Sequence, residues 1–138
     1  MPEVYLGIDF GTKRIGLALG NSFTGVARAL SVIPNNGGFL NALAKTIKEW
    51  QVTHIVLGLP LDMDGEEQEI TRQVKNFAKK IKHHTQLPLD FVDERLTSFE
   101  AERQFKSLRQ NSQAKAKNKD QIDAMAAQII LQSYLDQH

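Results

Sequence analysis

The first twenty residues contain two apolar segments separated by a short polar turn. A nearly unbroken apolar run from Val4 to Phe10 indicates a strand covered on both faces, and Asp9 interrupts it near its end. Residues 11–13 predict a tight turn, because glycine tolerates positive φ. The next strand has an apolar face and a small face, formed respectively by Ile15, Leu17 and Leu19 and by Gly16, Ala18 and Gly20. The small face would allow a helix or a ligand to approach the backbone closely.

A third strand is predicted from Val26 to Ile33, before a break at Pro34–Gly38. Three consecutive strands joined by short turns favour an antiparallel meander. After the break, apolar residues recur at helical spacing from Phe39 to about Gln51, and a short buried strand follows at His54–Gly58. A strand, a helix and a strand in this order imply a right-handed crossover, and therefore a parallel pair of strands.

The second half of the chain again alternates between helices and a strand. Its predicted elements are a helix with an apolar stripe between Ile70 and Ile81, a strand at Leu89–Glu94, a helix from Thr97 to about Leu108, a mobile loop at Gln110–Asn118 and a helix from about Asp120 to Leu135. The predicted buried stripe of the last helix is Ile122, Met125, Ala126, Ile129, Ile130 and Tyr134. These patterns together predict an α/β fold, in which helices flank a mixed five-stranded sheet made of an antiparallel three-strand meander and two parallel strands.

Composition narrows the class of protein but does not single out a function. A length of 138 residues suits one domain, residues 1–138, and the formal net charge of +1 gives no global field that would indicate nucleic acid. The absence of cysteine excludes disulfides and thiolate chemistry, and it fits a reducing compartment. No apolar run approaches the ~20 residues of a membrane span, so we expect a cytoplasmic protein without a membrane partner.

Three carboxylates lie at the ends or edges of the predicted apolar elements: Asp9, Glu94 and Asp123. Each has an ordinary structural explanation, respectively a turn cap, a surface pair with Arg95, and an acid favoured by a helix N-terminus. If the three converge without a basic partner, like-charge repulsion requires a compensating cation. Hard oxygen ligands suit Mg²⁺ or Mn²⁺, and one or two such ions could activate water for an in-line displacement.

Positive charge is concentrated in the sequence between Glu94 and Asp123. The stretch from Arg103 to Lys119 contains no acid and six basic residues, which are Arg103, Lys106, Arg109, Lys115, Lys117 and Lys119. Such a stretch beside a carboxylate site would hold a polyanion by its phosphates. The turn after Asp9 alone does not distinguish a metal-dependent nuclease from an ATP-binding phosphotransferase, but a sugar kinase or actin-like ATPase needs a second domain that this length does not accommodate.

Four segments are distinctive in combination. They are Asp9-Phe10-Gly11-Thr12-Lys13-Arg14-Ile15-Gly16, Gly58-Leu59-Pro60-Leu61 with Met63-Asp64-Gly65, Asp93-Glu94-Arg95-Leu96-Thr97-Ser98, and Asp123 with Ala126-Ala127 and Ile130-Leu131. In order and spacing, over essentially the whole chain, this set resembles the YqgF (RuvX) family. The resemblance implies an RNase H-like fold related to the RuvC Holliday-junction resolvases, and a nuclease that matures the 5′ end of pre-16S ribosomal RNA. It also implies that Asp9, Glu94 and Asp123 are the catalytic acids and metal ligands.

The sequence departs from that family at one position. The family often carries a lysine two residues before its last aspartate, where this chain has Gln121, and Lys119 is the alternative source of that charge. The basic residues expected to contact phosphate are Lys13, Arg14, Arg95, Lys115, Lys117 and Lys119.

The predicted function is metal-dependent hydrolysis of phosphodiester bonds in structured RNA. One alternative is a resolvase of branched DNA, which would need a dimer presenting two sites. Another is a non-catalytic module that binds nucleic acid or a transcription complex. The sequence does not choose between a monomer and a homodimer.

Overall fold

The computed structural model describes residues 2–62, 64–94 and 116–137, with side chains from residue 123 onward in the last range. Its strands and helices are β1 (Val4–Phe10), β2 (Arg14–Asn21), β3 (Ala27–Pro34), α1 (Phe39–Trp50), β4 (His54–Leu59), α2 (Glu69–Thr85), β5 (Leu89–Asp93) and α3 (Ala116–Gln137). The boundaries agree with the predictions to within a few residues, apart from the start of α3. The predicted helix from Thr97 to Leu108 lies outside the described residues.

The strands form a single mixed sheet in the order β3-β2-β1-β4-β5. β1 pairs antiparallel with β2, which pairs antiparallel with β3, and this confirms the predicted meander. β4 lies parallel to β1 and β5 lies parallel to β4, as the strand–helix–strand order predicted. β1 is therefore the central strand, and its carboxyl end points in the same direction as the carboxyl ends of β4 and β5.

The two faces of the sheet are packed differently. Helices α1 and α2 cover one face through large side chains that include Leu43, Phe77 and Ile81, packed on Ile8 and Leu17. Helix α3 covers the other face, where the sheet carries small residues. The predicted division of β2 into an apolar and a small face is thus confirmed, and the element that approaches the small face is α3.

Helix α3 begins at Ala116, so the predicted loop is wrong for residues 116–118, which are helical. Asp123 consequently lies about two turns inside the helix rather than in its first turn, and helix-dipole stabilisation at an N-terminus no longer explains it. The buried residues of the described part of α3 are Ala124, Ala127, Ile129, Ile130 and Leu131. Met125, Ala126 and Tyr134 from the predicted stripe are only partly buried. The buried side of α3 therefore differs from the predicted stripe, because Ala124, Ala127 and Leu131 lie against the glycines of β1 and β2.

Two glutamines of α3 form hydrogen bonds to the backbone at the start of β3, the edge strand of the sheet. The Gln132 side chain accepts a hydrogen bond from the Ala27 backbone N–H at 2.9 Å and donates one to the Gly25 carbonyl at 2.9 Å. Gln128 donates to the Ala27 carbonyl at 3.1 Å. Since Ala27 is buried, these amides satisfy backbone groups that water does not readily reach.

We expect Gln132→Ala to lower the free energy of unfolding by about 1–3 kcal/mol, because a buried N–H loses its acceptor. Gln73→Ala is the matched control, since Gln73 is an exposed residue of α2 and both changes have the same effect on helix propensity. Chemical denaturation of both variants measures the difference. Equal stability of the two variants would mean that the glutamine contacts contribute nothing.

Within the described residues, no helix has the length and apolarity that crossing a membrane would require.

Candidate active site

Two of the predicted acids meet at the carboxyl end of the central strands. Asp9 is the sixth residue of β1, and Glu94 directly follows the end of β5. Both side chains are partly buried, and their carboxyl groups are hydrogen-bonded to one another. The strand order separates β1 from β5 by the width of β4, so Glu94 has to reach across β4 to meet Asp9.

Gly58 of β4 provides the space for that reach. A Cβ atom built on Gly58 would lie 2.5 Å from Glu94 Oε1 and 2.7 Å from Ile130 Cδ1. Any side chain at this position would therefore require both the Glu94 carboxylate and the end of the Ile130 side chain to move. Sequence reasoning assigned Gly58 no role of its own, although a glycine near the end of a buried strand is a signal of close approach.

Burial and neighbouring negative charge raise the pKa values of both carboxyls. Burial, the nearby charges of Glu94 and Asp123 and the hydrogen bond with Glu94 raise the pKa of Asp9 well above its ordinary value. Burial also raises the pKa of Glu94; the hydrogen bond with Asp9 opposes this rise, and the charge of Asp93 adds to it. Raised pKa values are typical of two carboxyls that share one site, where ionisation of one opposes ionisation of the other.

Asp123 approaches the same end of the sheet from α3. A Cβ atom on Gly16 of β2 would overlap the Asp123 carbonyl oxygen and lie 2.6 Å from its carbonyl carbon. The helix backbone therefore rests directly on the strand at this point. The charge of Asp123 is close enough to raise the pKa of Asp9, which places all three acids in one electrostatic neighbourhood.

The three acids have a basic neighbour. Arg14, the first residue of β2, donates a hydrogen bond from Nε to Asp123 Oδ2 at 2.8 Å. Arg14 was predicted from the sequence to contact phosphate, and that role stays a prediction beside this ion pair. The pair joins residues 109 positions apart, which no local pattern could indicate.

A divalent cation needs several oxygen ligands that converge on one point. Among the described residues, no three histidine, aspartate or glutamate side chains converge on one point closely enough to enclose a metal ion. The chemistry of the donor set still suits Mg²⁺ or Mn²⁺, because Asp9 and Glu94 already bring carboxylate oxygens together. Binding a cation there would favour the ionised form of both carboxyls.

The structure describes three of the other five residues that were predicted to contact phosphate. Lys13 is exposed in the turn between β1 and β2. Lys117 and Lys119 belong to the start of α3, together with Gln121, whereas Arg95 and Lys115 lie outside the described residues. Their roles in nucleic-acid binding stay predictions.

Asn35 is a further residue that the sequence did not single out. Its side chain donates to the Gly11 carbonyl at 2.7 Å, and its backbone N–H donates to the Lys13 carbonyl at 2.9 Å. Asn35 thereby holds the turn that carries Lys13 and leads into Arg14. The only signal was its polar character in the break after β3, which equally fits an ordinary turn residue.

The chain has relatives of similar sequence and solved structures of similar fold. The chain is 42% identical to a protein of Burkholderia ambifaria over 134 residues, covering 96% of this chain and 88% of that protein. It is 40% identical to a protein of Klebsiella pneumoniae over 139 residues, covering 99% of both. Both relatives carry the name "Putative pre-16S rRNA nuclease".

The fold is similar to that of Thermus thermophilus RuvC in complex with a Holliday junction substrate, with a TM-score of 0.57 at 14% identity over 96% of this chain and 93% of that one. A second Thermus thermophilus RuvC structure gives a TM-score of 0.53 at 13% identity over the same shares of the two chains. These structures support the RNase H-like arrangement of the sheet and helices. A family model described as RuvX, Holliday junction resolvase, matches residues 3–137, and the chain therefore belongs to the RuvX family.

Proposed function

We propose that this protein is a metal-dependent endonuclease that hydrolyses phosphodiester bonds in structured RNA, and that its substrate is the 5′ end of pre-16S rRNA. The observation that carries the proposal is the hydrogen-bonded pair of Asp9 and Glu94, with raised pKa values, at the carboxyl end of the central strands. The names of the relatives support the choice of substrate. A cytoplasmic location is part of the same proposal, since ribosomal RNA is processed there.

In this mechanism the chain supplies ligands and positions the phosphate. Asp9, Glu94 and Asp123 would hold the cation through their carboxylate oxygens. Mg²⁺ or Mn²⁺, when bound, would supply an activated water and stabilise charge on the scissile phosphate. Lys13, in the exposed turn beside Asp9, holds a phosphate of the substrate.

Cleavage assays test this proposal directly. The protein is incubated with a precursor RNA carrying the 5′ extension of 16S rRNA, in the presence of Mg²⁺, Mn²⁺ or EDTA. We expect cleavage with either cation and none with EDTA. Metal-independent cleavage would contradict the proposal.

The basic stretch provides a further prediction about binding. Replacing Lys115, Lys117 and Lys119 together by Ala should weaken RNA binding and reduce the slope of log affinity against log salt by up to about three units, at ~0.7–0.9 per lost phosphate contact. Lys45 and Lys48 are exposed on α1 and distant in sequence from the basic stretch. Replacing both is the control for a general loss of positive charge. Binding titrations at several salt concentrations measure the slope, and an unchanged slope would remove the role.

A Holliday-junction resolvase is the second candidate function. The family description and the similarity of fold to a junction-bound RuvC favour it. This activity would need two sites presented by a homodimer, whereas trimming an RNA end needs one. A four-way DNA junction in the same cleavage assay, with the oligomeric state measured by light scattering, separates the two functions. If Asp9 variants keep their cellular function, a non-catalytic binding module becomes the better explanation.

A further inference from the structure

The contact between Arg14 and Asp123 links the start of β2 to α3 at the rim of the carboxylate site. The Nε–Oδ2 distance is 2.8 Å, and the two side chains are 40% and 29% exposed. A charge-assisted bond of this length is well formed, and its partial exposure leaves both groups reachable by solvent and by ligands. The pair is therefore suited to exchange partners.

Only the side chain of Asp123 has freedom to move at this point. Its backbone rests against Gly16 of β2, where even one methyl group would not fit, and the next residue, Ala124, is buried. The direction in which the Asp123 carboxylate points is therefore decided by its partners. In the structure that partner is Arg14, and the three acids do not converge on a common point.

Arg14 lies at a position where phosphate would also arrive. It directly follows the exposed turn at Lys13, and that turn is attached to the end of the strand that carries Asp9. A guanidinium has five N–H donors in a planar fork that matches carboxylate and phosphate equally. A phosphate that binds this guanidinium through Nε would therefore compete with Asp123 for it.

We propose that Arg14 is a positioning residue that exchanges Asp123 for a substrate phosphate, so that binding of the cation and binding of RNA favour one another. When Asp123 turns toward Asp9 and Glu94 to act as a ligand, the guanidinium is released to the phosphate. When phosphate draws Arg14 away, Asp123 is released to the cation. The proposal rests on the proposed function, because it assigns these acids to a divalent cation.

Reciprocity gives the proposal a measurable form. If RNA raises the affinity for the cation by some factor, the cation raises the affinity for RNA by the same factor. Removing Arg14 removes the competitor for Asp123, so the cation should bind more tightly in the absence of RNA. It should also reduce the factor by which RNA changes that affinity.

Titration with Mn²⁺ alone, followed by the EPR signal of the free ion, tests the first expectation. We expect Arg14→Gln to bind Mn²⁺ about twofold to fivefold more tightly than the unaltered protein, the range expected for losing a partly exposed ion pair. Arg28→Gln is the matched control for the loss of one positive charge. Arg28 lies on β3, where its partner is the ring of Trp50 and not a carboxylate of the site. Unchanged or weaker Mn²⁺ binding by Arg14→Gln, relative to this control, would overturn the proposal.

Repeating the titration with a short RNA duplex, checked by gel to remain uncleaved, tests the coupling. RNA should increase Mn²⁺ affinity in the unaltered protein and in Arg28→Gln, and this increase should be lost in Arg14→Gln. Arg14→Lys keeps the charge and should recover part of it, which a merely structural role would not predict. Thermal melting verifies that each variant is folded.

The outcomes distinguish this inference from the function on which it rests. If Mn²⁺ binds in an Asp9-dependent manner but the coupling persists in Arg14→Gln, only the role of Arg14 is wrong. If the unaltered protein binds no Mn²⁺, both the inference and the proposed metal dependence are wrong.

Discussion

Asp9→Asn is expected to reduce Mg²⁺-dependent cleavage by orders of magnitude, each tenfold loss corresponding to ~1.4 kcal/mol of transition-state stabilisation. The substitution keeps the size and hydrogen-bonding capacity of the side chain but removes its negative charge. A neutral amide would still hydrogen-bond Glu94 but would no longer supply the negative charge that the proposed cation requires. If Asp9 only caps a turn, Asn should serve nearly as well, because the two residues are comparable in turns and caps.

The stability of the same variant provides the control. Because the pKa of Asp9 is raised in the folded protein, the folded state binds its proton more tightly than the unfolded chain does. This contribution is greatest below the unfolded pKa and is lost as the pH rises through the folded pKa. Asp9→Asn removes the dependence, so in EDTA it should melt at the same temperature as the unaltered protein or higher, and the advantage should grow with pH.

Two results would contradict this account. A fully active Asn variant would remove the catalytic role of Asp9. A variant that is inactive and also much less stable in EDTA at every pH would mean that Asp9 is needed for folding, and the loss of cleavage would then say nothing about chemistry.

Gly16→Ala is expected to be among the most damaging single changes in the described part of the protein. The added methyl group would overlap the Asp123 carbonyl oxygen and lie 3.2 Å from the Ala124 nitrogen, and both neighbours belong to the backbone of α3. No side-chain rotation can relieve such an overlap, so the helix must move away from β2. Overpacking of a well-filled contact typically costs about 1–3 kcal/mol, and we expect at least the upper end here.

The same displacement should reduce activity, because it moves Asp123 relative to Asp9. A shift of about 1 Å in a positioned group can lower the rate roughly a hundredfold. Gly37→Ala is the matched control, since a methyl group there meets no atom within 4 Å. Denaturation and cleavage should be measured for both variants. If Gly16→Ala is as stable and active as Gly37→Ala, the close contact between β2 and α3 is not as the structure shows it.

The sheet could be predicted from the sequence because its signals are local. Apolar runs, a glycine turn and helical spacing fixed the strands and their pairing, and the small face of β2 correctly indicated a close neighbour. Asp9 was found for a related reason, as the one carboxylate inside a buried strand. Its catalytic role, with those of Glu94 and Asp123, remains a prediction.

The features that escaped prediction depend on packing between distant parts of the chain. The ion pair between Arg14 and Asp123 was not foreseen because the two residues are 109 positions apart. Ala124 and Ala127 were missed in the buried stripe of α3 because they are small, while sequence patterns give weight to large apolar side chains; Leu131 was missed as well. The position of Gly58 near the end of a buried strand indicates a close approach, but only the path of Glu94 over β4 shows which residue approaches.

The position of α3 has a consequence for how the protein is made. The glycine-lined face of β1 and β2 leaves the ribosome well before its cover, which comes from residues 116–137. Contacts of such long sequence separation form late and slow the folding of a chain. Until α3 docks, Asp9 and Glu94 lack the charge of Asp123 beside them. A nascent chain therefore has no assembled site, so an enzyme of ribosomal RNA would become competent only after its own synthesis has passed α3.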